Sequence, residues 1–278
     1  MEPLILDRNF SGTLGRDIGD YPGGIIIPID KPYRWTSADV IRKVKYAAIR
    51  HFSKKNLKVG HAGTLDPLAT GVLLVCVGNA TKLAEDLQRH DKEYIAGITF
   101  GATTPSYDLE KEIDFRYPVD QVSEQSVREA LGAFAIGEQD QVAPLFSAKS
   151  VEGVRAYELA RKAFKAGEPI PGDILRSSRI TISECELLSY CQSAAAPQIG
   201  LQPASNASSR INVASDDLSL PHALIRIACS KGTYVRAFAR DLGEALGSGA
   251  FLCSLVRSRS GDFKVSESLS VDQAICML

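Results

Sequence analysis

Sulfur and large aromatics are scarce in this chain: its 278 residues include two methionines, one tryptophan and six cysteines. The cysteines, at positions 76, 185, 191, 229, 253 and 276, form no C-x-x-C pair. That excludes a paired-cysteine zinc site and reads as reduced, mostly structural thiols of a cytoplasmic protein, not as a disulfide framework. No apolar run reaches the length of a membrane span. The opening M-E-P-L-I-L-D-R-N-F lacks the charged start and apolar stretch of a secretory signal. Neither a Gly-rich phosphate loop nor a cluster with metal-ligand spacing is present. An excess of one charge is missing too: 32 Lys and Arg stand against 33 Asp and Glu. Composition therefore does not mark a nucleic-acid partner by itself, although binding depends on the local field and not on the sum.

What is present is an ordinary globular composition, 45% hydrophobic and 23% charged, long enough for one large domain or two smaller ones. The conspicuous stretch is H-A-G-T-L-D-P-L-A-T-G, His61 to Gly71. Asp66 is its single acid and the first after Asp39. Seven Lys or Arg lie in the interval (Arg42, Lys43, Lys45, Arg50, Lys54, Lys55 and Lys58). Gly63 and Gly71 permit backbone conformations or close approaches that a side chain would block. Pro67 fixes its own φ and biases Asp66 toward an extended conformation. The apolar run Val72 to Val77 comes directly after and anchors the loop to a buried strand. On local grounds alone, Asp66 caps a turn or a helix that starts at Pro67. The alternative is a carboxylate presented on a stiff loop with a cationic approach.

Residues 1–22 show little pattern and read as a loosely held N-terminal extension ahead of a single domain, 23–278. Gly23 to Pro32 reads as a strand, with Pro28 marking an edge or a bulge. Thr36 or Ser37 then caps a helix on which Val40, Ile41, Val44, Ala47 and Ala48 recur at helical spacing. Thr81 to Arg89 is a helix and Lys92 to Phe100 an alternating strand; taken alone, its Tyr94 is an aromatic that packs. Val122 to Phe134 is a helix capped by Ser123, Ala156 to Lys165 a short helix ending at Gly167, and Arg179 to Leu188 a strand. The Ala-, Ser-, Gln- and Pro-rich segment 193–219 reads as a flexible insertion. A strand at Leu224 to Ile227 leads through Lys231-Gly232-Thr233 into a helix from about Tyr234. Arg236 and Arg240 share one face of that helix.

Several of these segments, in order, resemble the TruB family of tRNA pseudouridine-55 synthases. G-T-L-D-P-L-A-T-G is similar to the family's active-site loop, and D-K-P followed by T-S to its first motif, with Arg34 where glycine is usual. T-T-P-S-Y-D-L-E keeps Asp108 of T-x-S/T-x-D-x-x-G but has Lys111 at the glycine. Gln141 to Arg161 resembles the segment that grips RNA, with Ala143, Phe146 and Ser150 departing and Lys149 one place early. K-G-T-Y-V-R with A-R-D-L-G, and L-V-R-S-R-S-G-D-F with Val256 for an arginine, are similar to the later signatures. The resemblance covers about Gly24 to Phe263. The stretch after Phe263 is too short for the RNA-binding (PUA-type) domain many members carry.

The resemblance implies an α+β pseudouridine synthase fold: a mixed, largely antiparallel sheet flanked by helices, with a central catalytic cleft. It implies isomerisation of a tRNA T-loop uridine to its C-glycoside, with no cofactor, no membrane, no obligatory protein partner and a monomeric enzyme. Asp66 would be the nucleophile. A carboxylate at work in a dry pocket needs a cation beside it, and Arg236 is placed in that role. Tyr94 would stack on the base and help move the C5 proton. Tyr234 and Leu255 would line the base pocket, and His61 would hold the loop the base has left. Base flipping is expected, with phosphates met by Arg42 to Lys58 and by Lys149 to Lys165. The rival readings are a non-catalytic tRNA-binding or folding factor and an aspartate glycoside hydrolase. The hydrolase generally needs a second carboxylate, which this motif lacks.

Overall fold

The computed structural model describes residues 1–144, 146, 150–151, 154–155, 177–193, 211, 213–217 and 219–278. The expected helix at 156–165, Lys149 and, in the 193–219 insertion, residues 194–210, 212 and 218 lie outside the described residues. The first strands are β1 (Leu4–Ile5), β2 (Ile25–Lys31), β3 (Val59–Ala62), β4 (Ala69–Val77), β5 (Lys92–Phe100), β6 (Ala102–Thr103) and β7 (Phe115–Arg116). After them come β8 (Gly137–Gln141), β9 (Ser150–Val151), β10 (Val154–Arg155), β11 (Ser178–Cys191), β12 (His222–Cys229), β13 (Ala250–Ser260) and β14 (Phe263–Lys264). The helices are α1 (Ser37–His51), α2 (Ala84–Arg89), α3 (Glu124–Ala130), α4 (Val235–Ala245) and α5 (Val271–Met277). Two compact units can be distinguished within the chain. One is Met1–Ile95 with Ile199–Ile211 and Leu255–Leu278; the other is Ala96–Gln198 with Asn212–Ser254.

In the first unit β4 is the spine, and all nine of its residues are buried, as the unbroken apolar run demands. β2 runs antiparallel along it from Ile25↔Val77 to Lys31↔Gly71. Leu255–Arg257 of β13 lies parallel to Ala69–Gly71, and β3 pairs antiparallel with Leu74–Val77. Pro28 makes no bulge in this register. Its imide nitrogen falls on the side where β1 has already run out, and its carbonyl accepts from Leu269 N–H at 2.9 Å. Proline therefore costs the ladder nothing there. Thr36 is the N-cap of α1: its side chain accepts from Asp39 N–H, and the Asp39 carboxylate accepts from Thr36 N–H. Val40, Val44, Ala47 and Ala48 form the buried face.

The first 22 residues correct the reading of a loose extension. Leu4–Ile5 pairs parallel with Ile25–Ile26, Leu6 is fully buried, and Gly15 O meets His51 Nε2 at 2.9 Å. These anchors are single residues at irregular spacing, so no period announces them.

In the second unit β11 runs antiparallel to β12 on one edge and to β8 on the other. Ser123 caps α3, which continues as one π turn over Leu131–Ala135. In the first unit, the segment 81–89 opens as a 3₁₀ turn and becomes α2 only at Ala84. The architecture is α+β, with a mixed, largely antiparallel sheet and flanking helices.

Candidate active site

The backbone of the Asp66 loop is held at Gly63, Leu65, Asp66, Pro67, Ala69 and Gly71. Arg257, 2% exposed, donates through Nη2 to Gly63 O (3.1 Å) and through Nε to Val72 O (2.7 Å). Leu65 N–H donates to buried Ser37 Oγ (3.0 Å), whose hydroxyl reaches Leu65 O (3.2 Å). Arg34 N–H and Lys31 Nζ both donate to Pro67 O, at 2.9 and 3.2 Å. Gly71 N–H donates to Asp30 Oδ1 at 3.1 Å. Ala69 N–H closes a turn on Asp66 O (3.1 Å), with Pro67 in the second position that its fixed φ suits. Asp66 therefore opens a turn and starts no helix. Gly71 has φ +96°, and a Cβ there would stand 2.2 Å from Arg257 O, so glycine is required.

Lys31, at the end of the strand read over Gly23 to Pro32, is fully buried although it is a lysine. Its ammonium donates to Trp35 O (2.6 Å), Pro32 O (2.9 Å) and Pro67 O. Burial brings its pKa down to about 7, and the Asp66 carboxylate is the strongest of the charges that favour its protonated form. Lys31 thus places a positive charge in the field of Asp66 while tying down the neighbouring carbonyl. Arg34 has φ +62°, so it keeps the left-handed conformation that glycine would adopt and docks its amide on the loop. Its Nη2 reaches Ile211 O at 2.6 Å.

Three more candidates belong to this unit. His61 sits on β3, half-buried, with Nδ1 buried and lacking a hydrogen-bond partner. Burial, and then the Arg257 charge, lower its pKa. Leu255 lies directly across from Ala69 in the β13–β4 register, beside the end of the Asp66 turn. Tyr94 is 9% exposed on β5, on the same face as buried Lys92.

Arg236 and Tyr234 belong to the second unit, at the start of α4. Arg236 is 5% exposed and donates to Ser106 O (3.1 Å) and Phe146 O (2.9 Å); its Nε is 3.6 Å from Asp108 Oδ2. Asp108 is itself oriented, because its Oδ1 accepts from Ser106 Oγ (2.6 Å) and Glu110 N–H (3.0 Å). The T-T-P-S-Y-D turn, with Thr104, Ser106 and Asp108 buried, is thus a socket for the Arg236 guanidinium, a pairing that no sequence spacing signals. Gln141 gives no such signal either. Its buried amide accepts from Tyr234 N–H (2.8 Å) and donates to Tyr234 O (3.2 Å), fixing the residue from which α4 departs.

Among the described residues, one grouping has the atoms to hold a cation: Asp216, His222 and Cys253. His222 Nδ1 meets Leu220 O (2.7 Å) and Nε2 meets Asp216 Oδ2 (3.0 Å), while Asp216 Oδ1 accepts from Thr99 Oγ1 (3.0 Å). Leu220 O and Asp216 Oδ2 engage both ring nitrogens, so hydrogen bonds account for this geometry.

Among solved structures, the chain is similar to one described as a Cbf5–Nop10–Gar1 complex, with TM-score 0.57 and 25% identity over 98% of this chain and 63% of that one. A second is an H/ACA RNP bound to a substrate RNA containing 2′-deoxyuridine, with TM-score 0.56, 20% identity and coverage of 98% and 61%. This chain spans less than two thirds of either. The fold is that of the pseudouridine synthases. Residues 50–235 match the TruB family pseudouridylate synthase (N terminal domain). The tRNA pseudouridine synthase B of Phocaeicola vulgatus is 46% identical over 253 residues, 91% of this chain and 92% of that protein. The protein of the same name from Thermus thermophilus is 41% identical over 238 residues, with coverage of 84% and 72%. The chain belongs to the TruB family and is a pseudouridine synthase.

Proposed function

We propose that the protein converts the uridine at position 55 in the T-loop of tRNA to pseudouridine, with Asp66 as nucleophile. The observation that carries this reading is the loop itself. Gly63, Leu65 and Pro67 are tied to buried side chains and Gly71 to half-buried Asp30, so the backbone that carries Asp66 is held in place before substrate arrives. Relatives named tRNA pseudouridine synthase B supply the substrate class.

The reaction breaks the N1–C1′ bond and forms a C5–C1′ bond; the proton lost from C5 is balanced by one gained at N1. Nothing is oxidised or reduced. Asp66 adds to the base or assists departure at the anomeric carbon while the uracil turns. The target must leave its stack, at about a few kcal/mol. Tyr94 stacks on the extruded ring and takes part in moving the C5 proton. Tyr234 and Leu255 border the base, and His61, with its unpartnered Nδ1, helps hold the RNA loop the base has left. Arg236 supplies the fork-shaped cation of the site, and Lys31 a second positive charge near Asp66. The enzyme works as a cytoplasmic monomer with tRNA as its macromolecular partner and no cofactor. The test is pseudouridine mapping of tRNA from cells with and without this protein. Loss of the modification at position 55 is expected on deletion, and its persistence contradicts the reading.

A further inference from the structure

The outer face of α1 opens the Arg42 to Lys58 segment expected to meet phosphates, and its composition suggests more than charge alone. The helix turns Val40, Val44, Ala47 and Ala48 inward, which leaves Arg42, Lys43, Lys45, Tyr46 and Arg50 exposed. Arg42 is engaged by Asp39 at 3.0 Å. Lys43, Lys45 and Arg50, and Lys54, Lys55 and Lys58 beyond the helix, form no ion pair among the described residues. No acid occurs between Asp39 and Asp66 to offset them. A helix face that only needed solubility would mix signs.

Within this cationic field stands Tyr46, 66% exposed although aromatic. The Arg50 guanidinium lies 5.7 Å from the centre of its ring. Beside the helix opens a groove of about 530 Å³, lined by Lys45, Lys55, Lys58, Thr81 and the start of β3 at Val59–Gly60. A second groove shares Asn56, Leu57, Lys58 and Thr81 with it and adds Lys54, Lys82 and one acid, Asp17, which does not line the first. Beyond Gly60, β3 continues into His61 and so into the Asp66 loop. The cationic path therefore ends one residue short of the proposed site.

An exposed ring backed by a guanidinium, with unpaired lysines along a groove, is the combination that binds an unstacked base and its flanking phosphates. We infer that Tyr46 and the Lys45–Lys55–Lys58 groove form a second RNA-contact surface, which stacks an unpaired nucleotide other than the reacting uridine and tracks the backbone beside it. An acidic protein would match the charge but has no need of the isolated ring. This inference rests on RNA being the substrate.

The test measures tRNA affinity over a salt series for the wild-type chain, Tyr46→Ala, Tyr46→Phe and the triple variant Lys45→Ala/Lys55→Ala/Lys58→Ala, with pseudouridine formation by the wild type assayed in parallel. Tyr46→Ala is expected to weaken binding about 5- to 100-fold at every salt concentration, leaving the slope of log Kd against log salt unchanged. Tyr46→Phe keeps the ring and stays within about twofold. The triple variant lowers the salt slope by about 2 to 3, roughly one unit for each phosphate no longer neutralised. Wild-type affinity in Tyr46→Ala, or equal losses in Tyr46→Ala and Tyr46→Phe, overturns the stacking role. An unchanged slope in the triple variant overturns the phosphate path. If the wild type modifies tRNA normally while these variants bind as it does, only this inference fails; if it forms no pseudouridine, the functional reading fails.

Discussion

Ser37→Ala separates the support of the Asp66 loop from its chemistry. Ser37 is 3% exposed and Leu65 4% exposed. Removing Oγ leaves Leu65 N–H without its 3.0 Å acceptor and Leu65 O without its 3.2 Å donor. A buried backbone group left unsatisfied costs about 1–3 kcal/mol. The carbonyl bond is the longer of the two, so the combined loss is about 2–4 kcal/mol. Helix propensity does not add to it, because Thr36 and not Ser37 is the N-cap of α1, and alanine suits the first helical position. Two measurements read the effect: urea unfolding with the slope held as a control, and single-turnover pseudouridine formation. Stability is expected to fall by that amount. The rate is expected to fall about 100-fold, since a reacting group displaced by about 1 Å loses that much. Stability within about 0.5 kcal/mol of wild type, together with an undiminished rate, would refute the claim that Ser37 positions the loop.

Lys31→Met tests the buried ammonium through pH. The folded pKa of Lys31, about 7, lies below the ordinary 10.5. Above pH 7 the unfolded chain therefore holds the proton more tightly, and wild-type stability rises with pH until about 10.5. The wild-type-minus-variant difference in unfolding free energy should climb by about 1.4 kcal/mol per pH unit from about pH 7 upward; a flat difference between about pH 6 and pH 9 contradicts the assignment. Gly71→Ala should cost at least about 2 kcal/mol in urea unfolding, because its φ is +96° and the new Cβ would meet Arg257 O. Arg236→Lys cannot serve Ser106 O, Phe146 O and Asp108 together and should slow turnover about 10- to 100-fold, read by steady-state kinetics; wild-type rates would remove the guanidinium from the mechanism.

Much of the Asp66 loop is legible from residue types alone. Its two glycines have φ of +90° and +96°, Pro67 takes the second position of a turn, and the apolar run after it is the most buried strand of its unit. Resemblance supplies the significance of Tyr94, Tyr234, Leu255 and Arg236, each an ordinary strand or helix residue by local pattern. The supports stay hidden for a common physical reason. Lys31, Arg257, Gln141 and Asp108 act through backbone carbonyls, amides or an ion pair, often far along the chain, and a polar residue type does not announce burial. Arg34 shows the converse: at a position where glycine is usual, the arginine holds a left-handed backbone while its amide meets Pro67 O.

The account turns on the Asp66 carboxylate, and Asp66→Asn tests it most directly by tritium release from tRNA labelled at uridine C5. The variant should fold with wild-type stability and bind tRNA with near wild-type affinity while releasing no tritium above the protein-free control. Substantial release from a folded, binding-competent Asp66→Asn enzyme would contradict the assignment of Asp66 as nucleophile.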